Sequence, residues 1–474
     1  MNYAPIGTDE VFAGLAKQTV LELEEQYGNT DLIRALDYAG VSGPFKFVSP
    51  WELEDPEGLK RINASGYGAT PFGDRYPPLM RFLSRYFDES RAIGLPQQSL
   101  SDWRAALEAN LVRLISELAP SHSDSKVFFS NSGSEAIEAA IKFAKVSRPE
   151  STYFINFERA FHGKTCGALS LTVNEESQAP FRPLAFKALT LPFGDLEAFE
   201  QIIRNKGADN ITAVVLEPIQ GEAGVVVPPR EFLAGVDRLA KACTIPVIAD
   251  EIQAGLGRSG YWVPSIEWGG MDPDIITFAK PLGGGIVPIG ATVVRSVCFC
   301  KMLGGLNSKI HSNTFGGNSL AMAVGLKSLE ILREEELVER SRRLGEKGLE
   351  RLYGLARDHP DLIADVRGFG MWFAIQFHPV VPSSVAFGQD NLVGEFTSIL
   401  ALMMLHKGGI HANLALNAHR TIRLTPALTI PEELFYAMFD RLEATADRIR
   451  SASALLLKTR PKSLLDLTRI ALGR

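Results

Sequence analysis

Residues 245–285 read IPVIADEIQAGLGRSGYWVPSIEWGGMDPDIITFAKPLGGG. Two runs in this stretch, IPVIADE and DIITFAK, are apolar almost throughout, and each closes on a charged side chain, Asp250 in the first and Lys280 in the second. Strands so uniformly apolar belong in a sheet covered by helices on both faces, the parallel sheet of an α/β domain. Working outwards, KVFFS (126–130), TYFINF (152–157), ITAVVLE (211–217) and GATVVRS (290–296) have the same character. Between the first two lies SEAIEAAIKFAKV (134–146), which sets Ile137, Ala140, Ile141 and Ala144 on one helical face, with Ser134 as its expected cap. The fold expected is α/β with a mostly parallel central sheet.

The chain has 474 residues, 46% of them hydrophobic and 22% charged, enough for two or three domains at roughly 100–200 residues each. Its 49 Lys+Arg against 55 Asp+Glu give a net charge of -6 with no basic stripe, which argues against nucleic acid as a partner. The start, MNYAPIGTDEVFAG, has no basic and apolar leader, and the apolar run Ile399–Leu405 is far short of the roughly 20 residues that span a bilayer. The expectation is a cytoplasmic protein without a membrane partner, its four cysteines reduced. Eight histidines without an H-x-x-x-H pair or cysteine neighbours lead us to expect no metal site.

Three parts are expected. Residues 1–60 hold a helix around 12–27 and a turn with strand-like flanks, too little for a core of their own, so they should pack on the C-terminal part or a neighbouring subunit. Residues 61–328 form the large α/β domain. Residues 329–474 form a smaller α+β domain, in which two amphipathic helices (334–356 and 431–452) bracket MWFAIQF and HRTIRLTPAL. The terminal RPKSLLDLTRIALGR reads as a surface helix or frayed tail. Two motifs mislead. Gly163-Lys164-Thr165 lacks the P-loop glycine five residues earlier, where Glu158 stands, and Gly255-Leu-Gly257-Arg-Ser-Gly260 runs into YWVPSIEWGG, a poor helix for a dinucleotide fold.

The chemistry comes from three segments read together. Asp250 and Lys280 close strands whose carboxyl ends form the ligand crevice of such a sheet. A lysine emerging there from an apolar run is poised for a depressed pKa and Schiff-base chemistry. FFSNSGSEA passes from strand through Gly133 and Ser134 into a helix, whose free N–H groups and positive dipole end suit a phosphate. An amine, a carboxylate and a phosphate cradle are what pyridoxal 5′-phosphate requires: an anchor, a partner for the pyridine nitrogen and a seat for the phosphate.

NSGSEAIEAAIKFAK, LEPIQGEAGVVVPP, IADEIQAGLGRSG, PDIITFAKPLGGG and HSNTFGGNSLA occur here in the order seen in class III (ornithine/GABA-type) aminotransferases, and the resemblance spans about residues 54–430. It implies fold type I, like aspartate aminotransferase, and a homodimer with shared active sites. Carried over, Lys280 anchors the cofactor and Asp250 pairs with its ring nitrogen. Gln253 meets the ring hydroxyl, Gly133 and Ser134 hold the phosphate, and Phe161 lies over the ring. Thr314 reaches the phosphate in the partner subunit. His162 receives no catalytic part.

For substrates, Arg423 matches the arginine that grips a carboxylate of glutamate or 2-oxoglutarate, and Glu222 the acid that pairs with it while an ω-amine is bound. An exposed pair worth about 0–1 kcal/mol would open easily. Departures from the pattern are Lys164, where several relatives that process acylornithine have arginine, and Asp74 and Tyr76, where an entrance motif usually carries histidines. The implied reaction moves a terminal amino group from an amine or ω-amino acid of the ornithine, GABA, putrescine or lysine kind to 2-oxoglutarate. The alternative is an amino-acid racemase or epimerase of the same fold.

Overall fold

The computed structural model describes residues 6–89, 91–92, 94, 99–381 and 390–457. The terminal stretch 460–474 lies outside them.

Seven strands form the central sheet, in the spatial order Lys126–Ser130, Gly290–Val294, Ile275–Phe278, Val247–Asp250, Ile211–Leu216, Tyr153–Phe157 and Lys187–Leu191. Five of them, from Ile275–Phe278 to Lys187–Leu191, pair in parallel. Gly290–Val294 runs antiparallel to both of its neighbours. Every residue of the Ile211–Leu216, Val247–Asp250 and Ile275–Phe278 strands is buried, as their apolar runs require. Sequence reading missed Lys187–Leu191, an edge strand whose pattern is exposed to intermediate over four of its five residues. The register sets Asp250 opposite Thr277, so Lys280 leaves the sheet three residues further on, at the same edge.

The helix after the first strand spans Gly133–Ser147 and is capped by Ser132, whose hydroxyl accepts from Glu135 N at 3.2 Å, rather than by Ser134. Ser132 is the last extended residue (φ -155, ψ 166), so its side chain turns back onto the first turn. Residues 251–262 run as turns, with the next helix only at Pro264–Glu267, which excludes a dinucleotide fold there.

A second sheet, antiparallel throughout, holds Ile363–Gly368, Phe373–Phe377, Thr421–Leu424 and Asn413–Leu414. Helices Leu337–Asp358, Asp390–Lys407 and Glu432–Ile449 accompany it in the chain. A third sheet joins Lys46–Ser49, Glu52–Glu54 and Lys60–Asn63 to Ile410–His411, the last two in parallel. The single helix expected at 12–27 is two, Thr8–Ala13 and Lys17–Tyr27, separated where Gly14 takes φ +93; Thr30–Tyr38 adds another. Ile276, Phe278 and Ala291 of the central sheet share one apolar core with Met371, Phe373 and Phe439. Among the described residues no helix is long and apolar enough to cross a membrane, and no three His, Cys, Asp or Glu side chains group as metal ligands.

Candidate active site

At the carboxyl edge of the central sheet lies a cavity of about 410 Å³, bordered by the start of the Gly133–Ser147 helix and the ends of the Val247–Asp250 and Ile275–Phe278 strands. Ser132, Gly133, Ser134, Phe161, Gln253, Asp250 and Lys280 all line it. Gly133 and Ser134 supply N–H groups from a first helical turn, which has no intrahelical acceptors. A Cβ at Gly133 would stand 2.9 Å from Ile252 Cγ2, so only glycine lets helix and strand end approach this closely.

Asp250 is 4% exposed and held on both oxygens. Its Oδ1 accepts from Ile252 N at 3.1 Å and Thr277 Oγ1 at 3.4 Å, while Oδ2 lies 2.7 Å from His162 Nδ1. The second ring nitrogen of His162 is buried without a hydrogen-bond partner among the described residues. Burial pushes the His162 imidazolium down, but the Asp250 hydrogen bond and charge, with Glu217, outweigh it and leave its pKa raised. Glu217 closes the neighbouring Ile211–Leu216 strand and accepts from Phe161 N and Gly221 N, both at 3.0 Å. Burial and then the Asp250 charge push its carboxyl up to about 7, against the pull of His162 and the two N–H groups.

Lys280 has φ +35, an uncommon conformation for a residue with a side chain and one that clusters at functional sites. Burial, the largest influence, depresses its amine; Glu222 opposes this and Arg423 adds to it. A neutral amine is the form that attacks a carbonyl.

Arg423 and Glu222 do not line the cavity but stand beside it, close enough for both charges to act on Lys280. They pair at 2.8 Å with side chains 0% and 3% exposed. The expectation of an exposed, easily opened pair is therefore corrected: the Thr421–Leu424 strand carries Arg423 inside the fold, where solvent screening is lost. Glu222 Oε2 also accepts from Leu416 N at 3.1 Å, and Arg423 Nη2 donates to Leu414 O at 3.3 Å. Arg423 Nε and Nη1 have no partner among the described residues, and the Tyr67 ring lies 5.5 Å from the guanidinium. Gln253 Nε2 donates to Tyr67 O at 3.0 Å. Thr314 stands apart: it is exposed and does not line this cavity. Lys164 is exposed and outside it as well.

Sequence reasoning missed Glu217 and the His162–Asp250 contact. The rule that selects Asp250, a carboxylate closing an apolar strand, selects Glu217 equally in ITAVVLE. For His162 only its place beside Phe161 hinted at the site.

The family model for class III aminotransferases matches residues 52–446. The chain belongs to the class III aminotransferase family. It is an aminotransferase of fold type I and depends on pyridoxal 5′-phosphate. Solved structures of three other enzymes superpose on this class III chain. Ornithine aminotransferase from Toxoplasma gondii is 23% identical, with 96% of this chain and 100% of that one covered and a TM-score of 0.78. Acetylornithine aminotransferase from Elizabethkingia anophelis is 29% identical, covering 91% and 99%, at 0.73. An amine transaminase from an uncultivated Pseudomonas species is 23% identical, covering 85% and 94%, at 0.74. The residues that line the cavity are compatible with the cofactor: N–H groups at the start of a helix suit a phosphate, a buried carboxylate with acceptor capacity left suits a protonated ring nitrogen, and an amine depressed by burial suits a carbonyl.

Proposed function

We propose that this aminotransferase moves a terminal amino group from an amine or ω-amino acid, of the ornithine, GABA, putrescine or lysine kind, to 2-oxoglutarate. The observation that carries this reading is the buried Arg423–Glu222 pair beside Lys280. A donor without a carboxylate at that point leaves Arg423 neutralised by Glu222. A dicarboxylate acceptor replaces Glu222 and takes the Nε and Nη1 positions that no described group uses. Breaking a buried pair by removing one partner costs about 3–5 kcal/mol. The exchange must therefore be concerted, with the incoming carboxylate arriving as Glu222 leaves.

When bound, pyridoxal 5′-phosphate supplies the carbonyl that receives nitrogen and a ring that withdraws electrons from the donor carbon. Gly133 and Ser134 hold its phosphate through their N–H groups, and Phe161 and Gln253 orient the ring. Asp250 keeps a proton at the ring nitrogen, with His162 Nδ1 fixing the orientation of its carboxylate. Lys280 Nζ would anchor the cofactor and, as a free amine, would take the proton from the donor carbon and hold it on Nζ for return. Thr314, facing outwards, serves the phosphate of a second copy in a homodimer. In this reading residues 61–328 hold the cofactor, residues 329–474 bring Arg423, and residues 1–60 pack at the small domain or the subunit boundary.

The test is a pair of half-reactions. An ω-amine donor should abolish the visible absorption of the holoenzyme, and 2-oxoglutarate should restore it. Restoration by monocarboxylate oxo acids alone would overturn the proposed acceptor.

A further inference from the structure

Thr314 sits in a segment built onto the strand and helix that cradle this chain's own phosphate. The His311 ring stacks on Phe128 at a centroid distance of 4.7 Å, and His311 Nδ1 lies 3.1 Å from Lys142 Nζ on the cradle helix. Two residues on, Asn313 Nδ2 donates to Phe129 O at 3.2 Å. Its Oδ1 accepts from Gly316 N at 2.5 Å and from Asn131 Nδ2 at 3.4 Å. Asn131 is itself fixed, because Glu135 Oε2 accepts from both its backbone N at 2.7 Å and its Nδ2 at 3.1 Å. A Cβ on Gly316 would meet Asn313 Oδ1 at 2.0 Å and Phe129 O at 2.5 Å, so the turn closes tightly around this one amide. Asn318 ends the segment by capping the next helix through Ala321 N at 2.9 Å. The product of this scaffolding is an outward-facing Thr314 beside a 67% exposed Phe315.

The Asn313 amide thus ties its own turn, through Gly316 N, to the end of the Lys126–Ser130 strand through Phe129 O, with Asn131 just beyond it. We propose that Asn313 is a positioning residue for the partner subunit's cofactor: it references the Thr314 hydroxyl to Asn131, the residue before Ser132 and Gly133 in this chain's own cradle. The inference rests on the reading of Thr314 as a residue that serves a second copy. Asn313 does not line the cavity of its own chain; its part is to set where the hydroxyl stands. Both members of its amide are used, the donor by Phe129 O and the acceptor by Gly316 N and Asn131, so no other uncharged side chain of that length reproduces the contact set.

The experiment uses the holoenzyme as mixed dimers purified through two tags. In the first arrangement one subunit carries both Lys280→Ala and Asn313→Ala and the other is unaltered. In the second, Lys280→Ala and Asn313→Ala are on different subunits. Each dimer is stripped of cofactor and titrated with pyridoxal 5′-phosphate, and the cofactor fixed by borohydride on the single remaining Lys280 is counted. The first arrangement should need roughly tenfold more cofactor for half-saturation, the scale of one to two lost hydrogen bonds, and the second should match unaltered enzyme. Asn313→Ala and Thr314→Ala combined should weaken binding no more than Thr314→Ala alone. Weakening in the second arrangement but not the first would show that Asn313 acts within its own chain and would overturn the proposal, as would additive effects. If Asn313→Ala fails to fold, Asn313→Ser goes through the same arms. Thr314→Ala is run in parallel: a defect confined to its own subunit overturns the shared-site reading itself, whereas a Thr314 effect across the interface with a silent Asn313 overturns only the positioning role.

Discussion

Arg423 Nη2 lies 2.8 Å from Glu222 Oε1, and neither side chain has appreciable contact with solvent. One comes from the antiparallel C-terminal sheet, the other from the segment after the fully buried Ile211–Leu216 strand. The contact joins the two regions beside the Lys280 amine, and its burial makes each charge dependent on the other.

Separating the two half-reactions should expose that dependence. Arg423→Ala is expected to impair the 2-oxoglutarate half-reaction far more than the amine half-reaction, by roughly 10- to 150-fold, the range for one charge-assisted hydrogen bond. Glu222→Ala should do the reverse, leaving a buried guanidinium uncompensated while an amine is bound. Stopped-flow rates for each half-reaction decide the matter, and equal losses in both would argue against the exchange. Racemisation of an amino acid faster than amino transfer would favour an isomerase.

Lys280 should be the residue that carries the cofactor. Borohydride reduction followed by peptide mapping is expected to place the label there, and Lys280→Ala to lose the visible band and nearly all turnover. A label on another lysine would contradict the site.

Asp250→Asn should retain cofactor but lose activity by about 100-fold or more, since a neutral amide cannot hold a proton at the ring nitrogen. The same substitution removes the charge that raises His162, so the imidazole should titrate lower in the variant. Histidine NMR of the apoenzyme reads that shift, and an unchanged titration would mean that the 2.7 Å contact is not an ionic one in solution.

Glu251 offers a stability test outside the chemistry. It accepts from Ser265 N at 2.8 Å, its Oε2 has no partner among the described residues, and burial pushes its carboxyl up to about 8. A carboxyl raised in the folded state binds more protons there than in the unfolded chain, so its contribution is full below the ordinary carboxylate pKa and is lost as pH rises towards 8. Glu251→Gln should flatten this fall, gaining relative to the unaltered apoenzyme by on the order of a few kcal/mol between pH 5 and 9. Chemical denaturation at the two pH values measures it; parallel pH profiles would refute the assignment.

What local sequence determined here is what local physics can carry. Continuous apolar runs mark buried strands wherever they occur, and a charged residue closing such a run emerges at the sheet edge, so Asp250 and Lys280 were legible from position alone. The edge strand Lys187–Leu191 was not, because an edge does not demand a uniformly apolar pattern. Nor was the cap: Ser132 and Ser134 are equally good capping residues, and the backbone angle at 132 chose between them. Tertiary structure alone decided the rest. His162 meets Asp250 across 88 positions of chain because their segments converge on one edge of the sheet. Gly290–Val294 is as apolar as its neighbours but runs against them, since burial alone does not set strand direction. The Arg423–Glu222 pair is two surface-type residues in sequence and a sealed ion pair in the fold. A charge's burial depends on which elements pack over it, and no local spacing encodes that.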